Sequence, residues 1–460
     1  MSVLPASHLL GFVLLDLTII LVAARLVGSL FTKIGQPRVV GEITAGVLLG
    51  PTLLGPVLWP DFVAPAFLHS FLDCTPDSGM PAPSPSSCIF PAPARAVIGQ
   101  LGQIGLLLFS FLTALELDRA LLRSRSRGIA LVGPGSVLLP ITLGFALGPV
   151  LATPVFKPAA AATLGFTLFV GVMMAATALP VMVRILQERG LSRSPLGCTG
   201  IAASALATVG LFVAASIASS VAAGSGAEGV LQALGLAAGY LALMLLVVRP
   251  LLTKLAARLG EPSDTAGQSP FAAVLVLLLA SGLAAHLAGL TVIVGGFVAG
   301  LVLPAHPALH HVQGHLTAVT RTMLLPIFLA FSGLQTDLTA VPVAAYGGLA
   351  LLLAGGILSK WVGGAVLARA SGLSWSESNV LGILMNCPGV IVLVVALVGL
   401  QNGVITPAMQ AGVVLVALIT TAMTGPLLSV FLSRLPAAAL APVPQPVVPV
   451  VQRSMRRLPP

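Results

Sequence analysis

Charge is scarce in this 460-residue chain. Asp, Glu, Lys and Arg make up 8% of it, against about 25% in soluble domains, which excludes an ordinary soluble globular protein. Acidic residues number only 13, and lysine occurs only at Lys33, Lys157, Lys254 and Lys360. Aromatics are 5% and no basic patch is interleaved with them, so the net charge of +9 is not a nucleic-acid footprint. There is no Walker lysine loop, Gly-x-Ser-x-Gly elbow, zinc-helix motif or dinucleotide fingerprint. The common enzyme classes therefore have no foothold, and neither a cofactor nor a metal is expected.

What fills the chain is apolar: 57% of residues are hydrophobic and the mean hydropathy is +1.07. Apolar runs of roughly 18–25 residues recur along nearly the whole length, the pattern of membrane-spanning helices. The 49 glycines and 36 prolines would break soluble helices. Membrane helices tolerate them, because neighbours re-satisfy the freed backbone groups. The predicted spans are 7–29, 38–58, 97–117, 128–151, 163–186, 195–222, 229–257, 270–286, 288–304, 318–337, 342–370, 377–400 and 406–433, about thirteen in all. This is an all-α polytopic membrane protein with lipid as its surroundings. The first run, from about His8 to Leu30, is too long for a signal-peptide core and has no basic segment before it, so it reads as the first helix.

Loop charge tests the count. Lys33 and Arg38 follow span one; Arg119, Arg123, Arg125 and Arg127 follow span three. Arg189 and Arg193, Arg258, and Arg369 follow spans five, seven and eleven, and Arg434, Arg453, Arg456 and Arg457 lie in the tail. The alternate loops carry almost no cations beyond Arg95 and Lys157. The positive-inside rule then puts the N-terminus outside and the C-terminus in the cytoplasm, as expected of a multi-pass plasma-membrane protein.

The outer loop at 59–96 holds Cys74 and Cys88, for which a disulfide and two free thiols both fit. The loop at 305–317 holds His306, His310, His311 and His315 and reads as solvated and mildly pH-sensitive. The tail, 436–460, includes Pro442-Val443-Pro444-Gln445-Pro446. It reads as disordered, with no room for a nucleotide-binding regulatory domain.

Two spans carry helix-breaking signals near their middles: Ala176-Thr177-Ala178-Leu179-Pro180 in the fifth and Met385-Asn386-Cys387-Pro388-Gly389 in the twelfth. They occupy matching places in two six-helix halves, with span seven as linker. An odd offset of seven inverts the second half. Paired interruptions of this kind point to a transporter's midplane site.

A family likeness rests on several stretches. Gly35-Gln36-Pro37-Arg38-Val39-Val40-Gly41-Glu42-Ile43 through Gly50-Pro51-Thr52-Leu53-Leu54-Gly55 resembles the second-helix signature of the monovalent cation:proton antiporter-2 family. Phe111 to Asp118, Gly296 to Gly300, Leu325 to Asp337 and Thr420 to Pro426 resemble later motifs in order, so the likeness covers about residues 7–435. The resemblance implies two inverted repeats with crossed broken helices. It further implies a scaffold bundle (7–117 and 270–337) that usually homodimerises, and a core bundle (128–222 and 342–433). In that family a cation and protons compete for carboxylates on the sixth helix while the core rocks against the scaffold.

This chain departs from the pattern at the decisive place. The family's sixth helix typically reads Cys-Ala-Ala-Val-Asp-Asp, whereas here Cys198-Thr199-Gly200-Ile201-Ala202-Ala203 puts alanine at both acid positions. The twelfth-helix Arg and Glu are also missing, yet Lys360 matches the eleventh-helix lysine that can pair with the lost acid. Removing one member of a buried charge network strands its partners at about 3–5 kcal/mol, and joint loss relieves most of that. A cation in mid-span costs about 2.5–3.5 kcal/mol, so Lys360 deprotonates, finds a new partner or binds an anionic substrate.

Asp16, near the middle of the first span, is the one acid deep in an apolar run and is a candidate relocated carboxylate. Thr177, Thr199, Ser204 and Asn386 offer neutral oxygens, and Cys198 and Cys387 belong near the crossing. Three readings stay open. The first is proton-coupled exchange of Na⁺, K⁺ or an organic cation. The second is a repurposed scaffold that binds, exports or converts a lipophilic or anionic molecule. The third is an inactive partner of an active homologue.

Overall fold

The computed structural model describes residues 6–55, 59, 84–115, 125–222, 224, 226–256, 268–304, 314, 316–389 and 391–436. Cys74, the four histidines of the 305–317 loop and the Pro-rich tail lie outside them. Every regular element among the described residues is helical.

In chain order these are α1 (Ala6–Lys33), α2 (Arg38–Leu49), α3 (Pro51–Leu54), α4 (Pro85–Ile89), α5 (Ala92–Leu115) and α6 (Ser126–Leu151). Next come α7 (Thr163–Ala175), α8 (Leu179–Glu188), α9 (Pro195–Ala222) and α10 (Gly226–Ala242, continuing through a π-turn, Leu243–Val248, to Arg249–Ala256). Then follow α11 (Gln268–Leu287), α12 (Val292–Val302), α13 (Leu325–Leu334, entered by a π-turn, Thr320–Leu324), and α14. The last runs Tyr346–Gly356, a π-turn Ile357–Val362, and Gly363–Ala370. The chain closes with α15 (Trp375–Met385), α16 (Ile391–Gln401) and α17 (Pro407–Leu432).

Among the described residues nine helices are long and apolar enough to cross a membrane, and shorter apolar helices accompany them. One predicted span, 38–58, is not continuous. Gly50 is extended (φ −83°, ψ −172°), because Pro51 disfavours helical geometry in the residue before it.

The helices pack in two groups. In one, α1, α2, α5 and α13 lie against one another, and α12 packs on both α5 and α11. In the other, α6 packs on α7 and α9, α14 on α6 and α15, and α17 on α15 and α16. Helix α8 touches both groups, through α2 and α5 on one side and α9 on the other. Helices in lipid gain little from hydrophobic exclusion and associate through close backbone approach at small residues. Helices α2 and α13 meet this way, at Gly46 and Gly333. Outward leucines such as Leu14, Leu26, Leu246 and Leu279 are exposed, as a lipid-facing surface requires.

Candidate functional site

Both predicted interruptions are real breaks, and they touch. Helix α7 stops at Ala175, Ala176 (φ −54°, ψ 124°) leaves helical geometry, Ala178 (φ −89°, ψ 95°) is extended, and α8 restarts with Pro180 in its first turn. Proline lacks the N–H that would continue the ladder of α7 but suits the start of a new helix. Helix α15 stops at Met385, and Gly389 takes φ +49° before α16 begins. The Ala178 N–H donates to the Cys387 carbonyl at 2.9 Å, pairing the two breaks backbone to backbone. The Thr177 hydroxyl lies 3.4 Å from both the Ala175 and the Met385 carbonyls.

Lys360 reaches this crossing from the π-turn of α14. Its ammonium donates to the Ala176 carbonyl, and to Thr177 Oγ1 at 2.9 Å, and the side chain is only 2% exposed. The physical logic is that of a helix end. The last carbonyls of α7 have no intrahelical partner and carry partial negative charge, so a cation belongs there. Lys360 found its new partner in the backbone.

A cavity of about 40 Å³ is lined by Met173, Met174, Lys360, Asn386, Pro388 and Thr420 among others. That is room for about one water-sized occupant. The Cys387 thiol is hydrogen-bonded to the side chains of Thr421 and Thr424.

The structure thus joins Thr177, Lys360 and Asn386, with Cys387 beside them. Ala202 and Ala203 are buried on α9, which packs on α7, α15 and α16 and so passes the crossing. The other α9 candidates make these contacts. The Thr199 hydroxyl donates to the Pro195 carbonyl at 2.7 Å, and Cys198 Sγ lies 3.6 Å from the Ser192 carbonyl. Ser204 Oγ is buried without a hydrogen bond. Asp16 is elsewhere, fully buried on α1, the helix that gives Phe12, Val13 and Ile20 to an apolar cluster with Phe90 and Ile98. Neither of its oxygens is hydrogen-bonded, and Arg95 is the cation whose field reaches it. Sequence reasoning missed the Ala176 carbonyl, a backbone group with no side-chain signature, and Thr420. The run Thr420, Thr421 and Thr424, on one face of α17, was the available signal for the latter.

The crossing is close enough to test by one methyl group. A Cβ on Gly389 would stand 2.6 Å from both Ala178 Cβ and Val181 Cγ2, at a φ that L-residues avoid. Gly389→Ala is expected to cost about 2 kcal/mol or more, seen as a lowered thermal midpoint in detergent. An unchanged midpoint would mean that the two breaks do not pack as described.

Two broken helices crossing at midspan, inside an apolar helical bundle, define a secondary-transporter fold. Comparison with known proteins agrees. The model of the transmembrane sodium/hydrogen exchanger family matches residues 18–434, and the chain belongs to that family. The Na⁺/H⁺ antiporter NhaS4 of Synechocystis is 32% identical over 92% of this chain and 97% of that protein. Cation/H⁺ antiporter 20 of Arabidopsis thaliana is 31% identical over 92% of this chain and 48% of its own length. K⁺/H⁺ antiporter 1 of Saccharomyces cerevisiae is 29% identical over 92% of this chain and 46% of its own length. The chain thus spans about half of these last two. In fold it is similar to the sodium proton antiporter MjNhaP1 of Methanocaldococcus jannaschii, with TM-score 0.60 at 17% identity over 94% of this chain and 99% of that one.

Proposed function

We propose that the chain exchanges protons for a monovalent cation at the crossing, with Lys360 as the proton-carrying group. The observation that carries this reading is the seat of the Lys360 ammonium. It is held by a backbone carbonyl and a hydroxyl, the neutral oxygens with which unwound helices coordinate alkali cations. Two cations a few ångströms apart repel strongly in a low-dielectric interior. A metal ion taking the oxygens of Ala176, Thr177 and Asn386 therefore requires Lys360 to release its proton. One charge replaces one charge, so exchange is electroneutral, and the sixth-helix acids replaced by Ala202 and Ala203 are dispensable. The small cavity favours a monovalent ion over a bulky organic substrate.

In this reading α1, α2, α5 and α11 to α13 form the scaffold, through which two copies pair. Helices α6 to α9 and α14 to α17 form the core, which rocks in a plasma membrane with the arginine-rich loops inside. Thr177, Lys360 and Asn386 carry the site. Asp16 is a separate carboxylate of the scaffold, and Cys198, Thr199 and Ser204 flank the vacated acid positions. The test is proton flux in proteoliposomes with a preset pH gradient, adding Na⁺, K⁺ or Li⁺. Expected is collapse of the gradient by at least one cation, unaffected by clamping the membrane potential. No response to any of them, from folded protein, sinks the proposal.

A further inference from the structure

The turn between α1 and α2 is tied to α8 by charge. Pro37 supplies no side-chain cap to α2. The first N–H of that helix, on Arg38, is instead accepted by Glu188 Oε2 at 3.0 Å, from the last residue of α8. Glu188 Oε1 accepts from Arg184 Nε at 3.2 Å. Deeper in, Glu42 is buried with Oε1 at 3.5 Å from Arg38 Nε and 3.7 Å from Arg184 Nη2, and its Oε2 has no partner. Helix α17 presses on the same turn: Arg189 donates to the Gly425 carbonyl at 3.3 Å, and a Cβ on Gly425 would stand 2.6 Å from Pro37 Cδ. A cleft of about 510 Å³ opens here, lined by Gln36, Arg38, Arg184, Glu188, Arg189 and Ser429 among others.

We propose that Glu188, Arg184, Arg38 and Glu42 form a clasp that holds this face shut and opens in each exchange cycle. The bonds run from α8, one half of the first broken helix, to the start of α2, so rocking one helix group against the other must break them. They are made to be broken. The Glu42 contacts are too long for hydrogen bonds. The side chains of Arg184 and Glu188 are 14% and 26% exposed, so water can replace their pairing. Val40 and Ile43, beside Glu42 on α2, and Val183, beside Arg184 on α8, are buried, and α8 packs on α2, so apolar side chains back the closed clasp. The cycle rests on the transport reading above; the closed clasp does not.

The full chain in lipid nanodiscs, carrying Val183→Cys at a position that is buried while the clasp is closed, is reacted with a maleimide, and the chain without that substitution supplies the blank. Glu188→Gln is expected to speed labelling about fivefold, the effect of losing an exposed pair of roughly 1 kcal/mol. Raising salt to about 0.5 M should speed labelling with the clasp intact and leave Glu188→Gln unchanged, which mere loosening of the fold would not reproduce. Equal rates with and without Glu188 in monodisperse protein overturn the clasp. In a second arm Gln36→Cys and Ser429→Cys are bridged by a cleavable bis-maleimide. Proton exchange is expected to stop and to return on cleavage, and full exchange by quantitatively bridged protein overturns the gating role. If the unbridged chain moves no protons with any cation, the transport reading fails, and the labelling arm still decides the clasp.

Discussion

Lys360→Arg is expected to abolish cation-driven proton exchange, by at least about 100-fold, while the protein stays folded. Arginine keeps a positive charge and hydrogen-bond donors for the Ala176 carbonyl and Thr177 hydroxyl, so the end of α7 remains compensated. It cannot release a proton in a protein, so a cation can no longer take the seat. Lys360→Ala separates the two roles. It also stops exchange, and it leaves the carbonyl and the hydroxyl without their donor at about 1–3 kcal/mol each. Arginine should therefore give a dead transporter of near-normal thermal midpoint, and alanine a dead one with a lowered midpoint. Flux in proteoliposomes and the midpoint in detergent decide it. Exchange at the normal rate in Lys360→Arg would move the proton carrier to another group, and Asp16 would be the next residue to replace.

Gly46→Val is expected to prevent folding. Even the first added carbon would lie 1.8 Å from the Ala330 carbonyl oxygen and 2.6 Å from its carbonyl carbon. Both belong to the backbone of α13 and cannot swing aside. The contact is reciprocal, since a Cβ on Gly333 would stand 2.3 Å from the Ile43 carbonyl oxygen. The helices must separate along their shared length, and the loss should exceed about 4 kcal/mol. Gly11→Ala is the control, because nothing lies within 4 Å of its added carbon. Size-exclusion chromatography in detergent should show a symmetric peak for the control and aggregate for Gly46→Val. A normal peak for Gly46→Val would refute the backbone contact between α2 and α13.

The crossing was legible because its letters have local meaning. Pro180 and Pro388 remove a ladder N–H, and Gly389 admits a positive φ, so the interruptions could be placed to within a residue or two. Lys360 was equally visible, as an ammonium in an apolar run. Its partner was not, because the Ala176 carbonyl is the same group every residue carries and acts only because α7 ends there. Gly50-Pro51 shows the converse: the letters marked a break in the second span that hydropathy alone ran through.

Long-range placement was beyond the letters. Asp16 is as conspicuous as Lys360 in sequence, yet it folds into the group of α1, α5 and α13 and not into the crossing. The Arg38–Glu188 bond joins residues 150 positions apart, and neither residue carries a mark of the other. Apolar length, glycine and proline decide locally, one helix at a time, so membrane spanning, broken helices and family membership were fixed before any coordinate. Which charges meet depends on how helices with nearly uniform apolar faces settle together. That is a matter of backbone approach at glycines such as Gly46 and Gly333, and only the tertiary structure records it.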